Sequence, residues 1–165
     1  NFIGAVNITQ EVLPIMREQG FGKILNTSSV AGIFPIPFQS FYSATKASLD
    51  IWAQALRMEV KPYNIKICNL LVGDTKTGFT AVREKNQADK GTVYEETVER
   101  SISKMERDEQ KGKDPITVAK LMFKMANKKN VPATKTVGFG YKTLVFLEKI
   151  LPQSLMLWIV SKLYS

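Results

Sequence analysis

The 165-residue chain contains no histidine, a single cysteine and two tryptophans. Without an imidazole there is no Ser-His or Cys-His nucleophile pair, which excludes the common hydrolase triads. With Cys68 as the sole thiol no internal disulfide can form, and a zinc site, built mostly from Cys and His, has almost no donors. The same scarcity suits a reducing compartment, so a cytoplasmic location is expected. Cys68 lies in the mostly apolar run from Ile65 to Val72 and reads as a small buried hydrophobe. Long apolar runs are missing as well. The longest uncharged stretch of the tail, Ile150 to Ser161, has twelve residues, against about 20 for a bilayer-spanning helix. Acidic residues are scarce in the C-terminal third: residues 111–165 hold ten lysines, one Asp and one Glu, which accounts for the whole net charge of +8, so residues 1–110 balance. A lysine-rich surface can face solvent or anionic lipid. No nucleic-acid partner is expected. At 44% hydrophobic, the chain can bury one core.

What is present is organised around Ser29 to Lys46, Ser-Val-Ala-Gly-Ile-Phe-Pro-Ile-Pro-Phe-Gln-Ser-Phe-Tyr-Ser-Ala-Thr-Lys. Tyr42 and Lys46 are four apart where a helix should open, and i, i+4 residues share a helical face. A cation beside a phenol favours the phenolate and makes Tyr42 a better proton donor or acceptor near neutral pH. Ser29 follows a strand read over Gly22 to Ser28, which aims its hydroxyl into the crevice where open α/β sheets bind ligands.

Before this stretch, Ile3, Val6, Val12, Leu13 and Met16 repeat at roughly helical spacing from Asn1 to Glu18, with a kink expected at Pro14. After it, the helix should start at Ser40 as N-cap and run to about Val60, closed by Pro62 and Asn64. Ile65 to Val72 then reads as a parallel strand buried on both faces, completing a right-handed βαβ unit. Asp74 to Gln110 is charged and thinly periodic. Its Phe79, Val82, Val93, Tyr94, Val98 and Ile102 either cover a ligand or anchor surface helices. Asp114-Pro115 should cap a helix whose Val118, Leu121, Met122 and Met125 face the core. Thr134 to Phe139 is expected as the last strand. Tyr141 to Leu151 and a helix over Gln153 to Tyr164 form a hydrophobic tail. Three roles stay open for that tail: a membrane-interface helix, a cap on the substrate pocket, or a contact with a second subunit.

Ile-Leu-Asn-Thr-Ser-Ser-Val-Ala-Gly, followed thirteen residues after Ser29 by Tyr-Ser-Ala-Thr-Lys-Ala-Ser-Leu, closely resembles the short-chain dehydrogenase/reductase family. Asn1-Phe2-Ile3-Gly4 is similar to its Asn-x-x-Gly helix, and Val72-Gly73-Asp74-Thr75-Lys76-Thr77 to its Pro-Gly-x-x-x-Thr loop, with Val72 in place of proline. The resemblance is good to about Thr80 and looser to about Gly140. It implies a doubly wound α/β sheet of Rossmann type, present as its C-terminal portion, because the glycine-rich turn that receives the pyrophosphate is absent from these residues. Residues 1–140 would belong to that domain and 141–165 to a helical extension. The chain is expected to be the C-terminal part of a longer protein, weak in cofactor binding by itself.

The resemblance also implies roles. Asn1, Ser29, Tyr42 and Lys46 would be the catalytic set. Tyr42 would move the proton, Ser29 hold the substrate oxygen, Lys46 reach the nicotinamide ribose, and Asn1 fix a water. Gly73, Thr75 and Thr77 would touch the nicotinamide side of NAD(P), with NADP slightly favoured. The implied function is interconversion of a hydrophobic alcohol and its carbonyl compound by a homodimer or tetramer, with Trp52, Leu56, Ala47 and Ala53 as the expected dimer face. A non-catalytic cofactor- or lipid-binding protein on the same fold is the alternative, and the sugar-nucleotide epimerase branch is a second one.

Overall fold

The computed structural model describes residues 1–78, 80–82 and 89–164. Three parallel strands lie in the order β1 (Gly22–Ser29), β2 (Ile65–Val72), β3 (Thr134–Thr136). β1 and β2 pair along their full length, from Gly22 opposite Ile65 to Ser29 opposite Val72. Six helices surround them: α1 (Ile3–Glu18), α2 (Ser40–Glu59), α3 (Glu95–Gln110), α4 (Pro115–Asn127), α5 (Phe139–Glu148) and α6 (Gln153–Tyr164).

β2 sits between the other two strands, and its side chains alternate between two helical layers, as the period of two requires. Ile65 and Ile67 pack with Ala53 of α2 and Val60 just after its end, and with Leu13 and Met16 of α1. Cys68 and Leu70 point the other way, onto Met125, Leu121 and Met122 of α4. Leu71 meets Val30, Phe34 and Val160, with Tyr141 and Leu144 against them. Helices thus cover both faces, the doubly wound arrangement expected from the sequence. Cys68 is fully buried.

Several boundaries differ from the sequence reading. α1 runs to Glu18 through Pro14 as read, but starts at Ile3, and Ile3 on its expected apolar face is 65% exposed. Ser40 is the first helical residue of α2 and makes no cap. Gln39 precedes it, while the Ser43 hydroxyl accepts the Ile36 N–H at 3.2 Å and ties the incoming loop to the helix. The last strand stops at Thr136. Val137 still donates to the Leu71 carbonyl at 2.9 Å, and Gly138, at φ 86°, then turns the chain into α5. The expected boundary between 140 and 141 therefore falls inside α5, and Val160 of α6 shares a core with β2. The Asp114-Pro115 cap forms as expected, with the Asp114 carboxylate accepting the Ile116 N–H at 2.8 Å. Among the described residues of the 74–110 region the helical elements are a short 3-10 turn, Thr80–Val82, and α3. Phe79 lies outside the described residues.

Candidate functional site

β1 ends at Ser29, and the chain passes at once into a 3-10 turn, Val30–Gly32. The Ser29 hydroxyl caps that turn by accepting the Ala31 N–H at 3.1 Å, which fixes its direction at the C-terminal edge of the sheet. The loop to Gln39 then folds across this edge. Phe38 takes a left-handed backbone, φ 59°, a conformation that costs about 1–2 kcal/mol for a residue with a side chain.

α2 begins there and carries Tyr42 and Lys46 on one stripe. The Lys46 ammonium donates to the Thr27 carbonyl at 2.9 Å and stands 5.8 Å from the centre of the Tyr42 ring. Lys46 is 8% exposed. Burial pulls its pKa below the ordinary lysine value, and the negative charge of Asp50 opposes part of that fall. Beyond β2, Gly73 and Asp74 turn away beneath α5. The Tyr141 hydroxyl hydrogen-bonds the Asp74 carboxylate and accepts the Asp74 N–H at 3.2 Å. A Cβ on Gly73 would stand 2.1 Å from the Tyr141 ring, so only glycine lets the ring lie there. On its other side the loop pairs with residues 112–113: Lys113 N–H donates to Asp74 O, and Lys76 N–H to Lys113 O. The Thr75 hydroxyl donates to the Gly73 carbonyl at 3.0 Å.

These elements enclose a cavity of about 1150 Å³ whose lining includes Ser29, Tyr42, Lys46, Gly73, Thr75 and Thr77. The structure thus brings together six of the seven residues singled out in the sequence. Asn1, the seventh, precedes the first turn of α1, is exposed and is not among the lining residues. Apolar walls come from Phe34, Ile36 and Phe38 on one side, and from Leu144, Met156 and Ile159 of the tail on another. Val98, Ile102 and Met105 of α3 also line it, as does Tyr94 at its mouth, whereas Val82 and Val93 are exposed and lie outside the lining. Among the described residues no group of His, Cys, Asp or Glu could hold a metal ion.

Two features escaped the sequence reading. Asp50, four residues after Lys46, is a buried carboxylate, and its i, i+4 spacing was the available signal. The Tyr141–Asp74 link spans 67 residues, and nothing local announces it.

The comparisons agree with this geometry. A family model described as short chain dehydrogenase matches residues 1–88. A 3-ketodihydrosphingosine reductase of Bacteroides thetaiotaomicron is 35% identical over 167 residues, which cover all of this chain and 62% of that protein. The chain therefore spans under two thirds of that relative's length. Two solved structures share the fold. A serine dehydrogenase in complex with NADP+ has a TM-score of 0.63 at 25% identity, over 81% of this chain and 50% of that one. A 3-oxoacyl-[acyl-carrier protein] reductase from Brucella melitensis with bound NAD has 0.57 at 26%, over 83% and 46%. With Ser29, Tyr42 and Lys46 on one cavity and a family model over more than half of its length, the chain belongs to the short-chain dehydrogenase family.

Proposed function

We propose that the protein interconverts a hydrophobic alcohol and its carbonyl compound with a nicotinamide cofactor. The observation that carries this reading is the shared cavity: a phenol, a buried ammonium and a serine hydroxyl at one end, and apolar walls from three parts of the chain beyond them. Tyr42 gives its hydroxyl proton to the carbonyl oxygen in reduction, or takes it back in oxidation. Lys46, held by the Thr27 carbonyl, provides the nearby positive charge that stabilises a phenolate. Ser29 donates to the substrate oxygen as negative charge develops there. Asn1 is assigned the water-holding role by its match to the family motif alone.

The residues fit the nicotinamide end of NAD(P). Lys46, Thr75 and Thr77 line the space beside Tyr42, and Gly73 keeps the loop backbone flush against Tyr141. When bound, the cofactor supplies or accepts the hydride. The chain holds no glycine-rich turn for the pyrophosphate end. The Bacteroides relative is named for reducing 3-ketodihydrosphingosine, a long-chain ketone. The apolar walls around Met156, Ile159 and Phe34 support a substrate of that kind here.

The tail's contacts favour the pocket-cap role, because Met156 and Val160 are buried while Ile159 and Leu163 line the cavity. Its outer side still exposes Trp158 at 59% and Leu157 at 44%. No helix among the described residues is long and apolar enough to cross a membrane. Any lipid contact through this face is peripheral. We also propose a homo-oligomer, with a corrected face. Ala53 is buried, Ala47 half-buried, and Trp52 and Leu56 pack inward with α1, whereas Phe41, Ile51 and Met58 are the large exposed apolar residues of α2.

The test is turnover by the full-length protein with NADH or NADPH and a series of long-chain ketones. Tyr42→Phe should lower kcat by about 10²-fold or more while the protein stays folded. Near-normal turnover in folded Tyr42→Phe would sink the assignment. Cofactor binding without turnover of any such ketone or alcohol would favour the non-catalytic alternative.

A further inference from the structure

We propose that Asp50, a buried carboxylate one helical turn beyond the buried Lys46, is a positioning residue that keeps the Lys46 ammonium charged where the Thr27 carbonyl holds it. The proposal rests on the oxidoreductase reading above for its consequence in catalysis.

Asp50 is 3% exposed, and its carboxylate makes no hydrogen bond of good geometry, with the Ser28 hydroxyl and the Asn69 amide beside it to stabilise part of its charge. The space around it is crowded with neutral groups. From the turn after β1, Gly32 packs so closely that a Cβ there would stand 2.9 Å from Asp50 Oδ2. From β1 comes the Ser28 hydroxyl, also buried without a partner of good geometry. From β2 comes Asn69, whose side-chain Nδ2 donates to the Asp50 backbone carbonyl at 3.3 Å and whose Oδ1 accepts from Asn26 at 2.9 Å. One turn back on its own helix is Lys46, itself buried.

A lone carboxylate in such a place is costly, and filling the space would need only an amide or an aliphatic group. What Asp50 supplies, and those groups do not, is negative charge. Tyr42, Lys46 and Asp50 stand at i, i+4 and i+8, one stripe of α2. Burial works to discharge Lys46, and Asp50 opposes it. The device depends on pH, because burial raises the Asp50 carboxyl to about 6, against the weaker pull of Ser28, Asn69 and Lys46. Below that pH Asp50 is protonated and its support of Lys46 lapses.

The deciding experiment follows the titration of Lys46 by NMR in the full-length protein labelled with ¹³C-lysine, with Lys46→Arg to assign the signal. In Asp50→Asn, Lys46 should titrate at clearly lower pH than in the wild type, and Asp50→Glu should restore most of the difference. The pH profile of kcat/KM should lose its inflection near 6 in Asp50→Asn and keep it in Asp50→Glu. A merely structural role would move neither. An unchanged Lys46 titration in folded Asp50→Asn overturns the proposal, whether or not the protein is an oxidoreductase. Asp50→Ser takes the place of Asp50→Asn if the latter does not fold. Retained turnover in Tyr42→Phe would strike the functional reading alone and leave the Lys46 titration result standing.

Discussion

At the scale of single residues, two crowded positions make opposite predictions. Gly73 has no room for a side chain, because Tyr141 lies where a Cβ would be. Gly73→Ala must push that ring away and break its link to Asp74, at an expected cost of about 1–3 kcal/mol. Thermal denaturation should show a lowered Tm, and adding Tyr141→Ala should cancel much of the further loss. Full additivity of the two changes would count against a direct clash. Asp50 predicts the reverse. Its carboxyl is raised from 3.8 to about 6 by burial, so the folded state holds this proton more tightly than the unfolded chain does. Below the unfolded value both states are protonated and there is no penalty. As pH rises from about 4 to 6 the folded state loses stability, and above 6 the loss is complete. A shift of roughly two units is worth about 3 kcal/mol. Asp50→Asn should therefore be more stable than the wild type at pH 7.5, with the gain gone at pH 3.5. Urea denaturation at the two pH values measures it, and an equal gain at both would refute the electrostatic account.

Elements carry their own signals in different strengths. α4 is closed at its start by Asp114, whose carboxylate accepts the Ile116 N–H, and by Pro115 at the first helical position. Asp114→Ala should cost about 1 kcal/mol, read as a small drop in the urea midpoint with an unchanged m-value. The start of α2 has no such cap, so Ser40→Ala should change stability little, whereas Ser43→Ala removes the bond from Ile36 and loosens the loop over the cavity. β2 is the central strand, with Ile67, Cys68, Leu70 and Leu71 at 1% exposure or less. Leu70→Ala should cost about 2–5 kcal/mol.

For the whole molecule, the question is what the tail does. α6 buries Met156, packs Val160 against Val30 of the turn after Ser29 and Leu71 of β2, and lines the cavity with Ile159 and Leu163. Removing residues 152–165 should lower Tm and raise KM for a long-chain ketone, because one wall of the cavity leaves with it. Leu157→Ser with Trp158→Ser changes only exposed positions. It should leave Tm and KM near the wild type and reduce co-sedimentation with anionic vesicles at low salt. Lys142, Lys149 and Lys162 are exposed along the same tail, and exposed lysines add about 1 kcal/mol each near an anionic surface. Equal vesicle binding by wild type and double variant would remove the membrane role and leave the cap.

The sequence by itself determined the elements whose causes are local. The apolar run of β2, the Asp-Pro start of α4, and the i, i+4 placement of Tyr42 and Lys46 all follow from neighbours along the chain. So does the position of Ser29 at a strand end, and with it most of the candidate site. The tertiary structure decided what depends on residues far apart in sequence. The last strand ends where Gly138 turns toward α5. The tail is a wall of the cavity because Val160 finds Leu71 and Tyr141 finds Asp74, contacts that no periodicity encodes. Asp50 reads as an ordinary helical acid until packing shuts it away from water. A side chain's charge and reach are written in its residue type, but the solvent it keeps or loses is set by what folds over it.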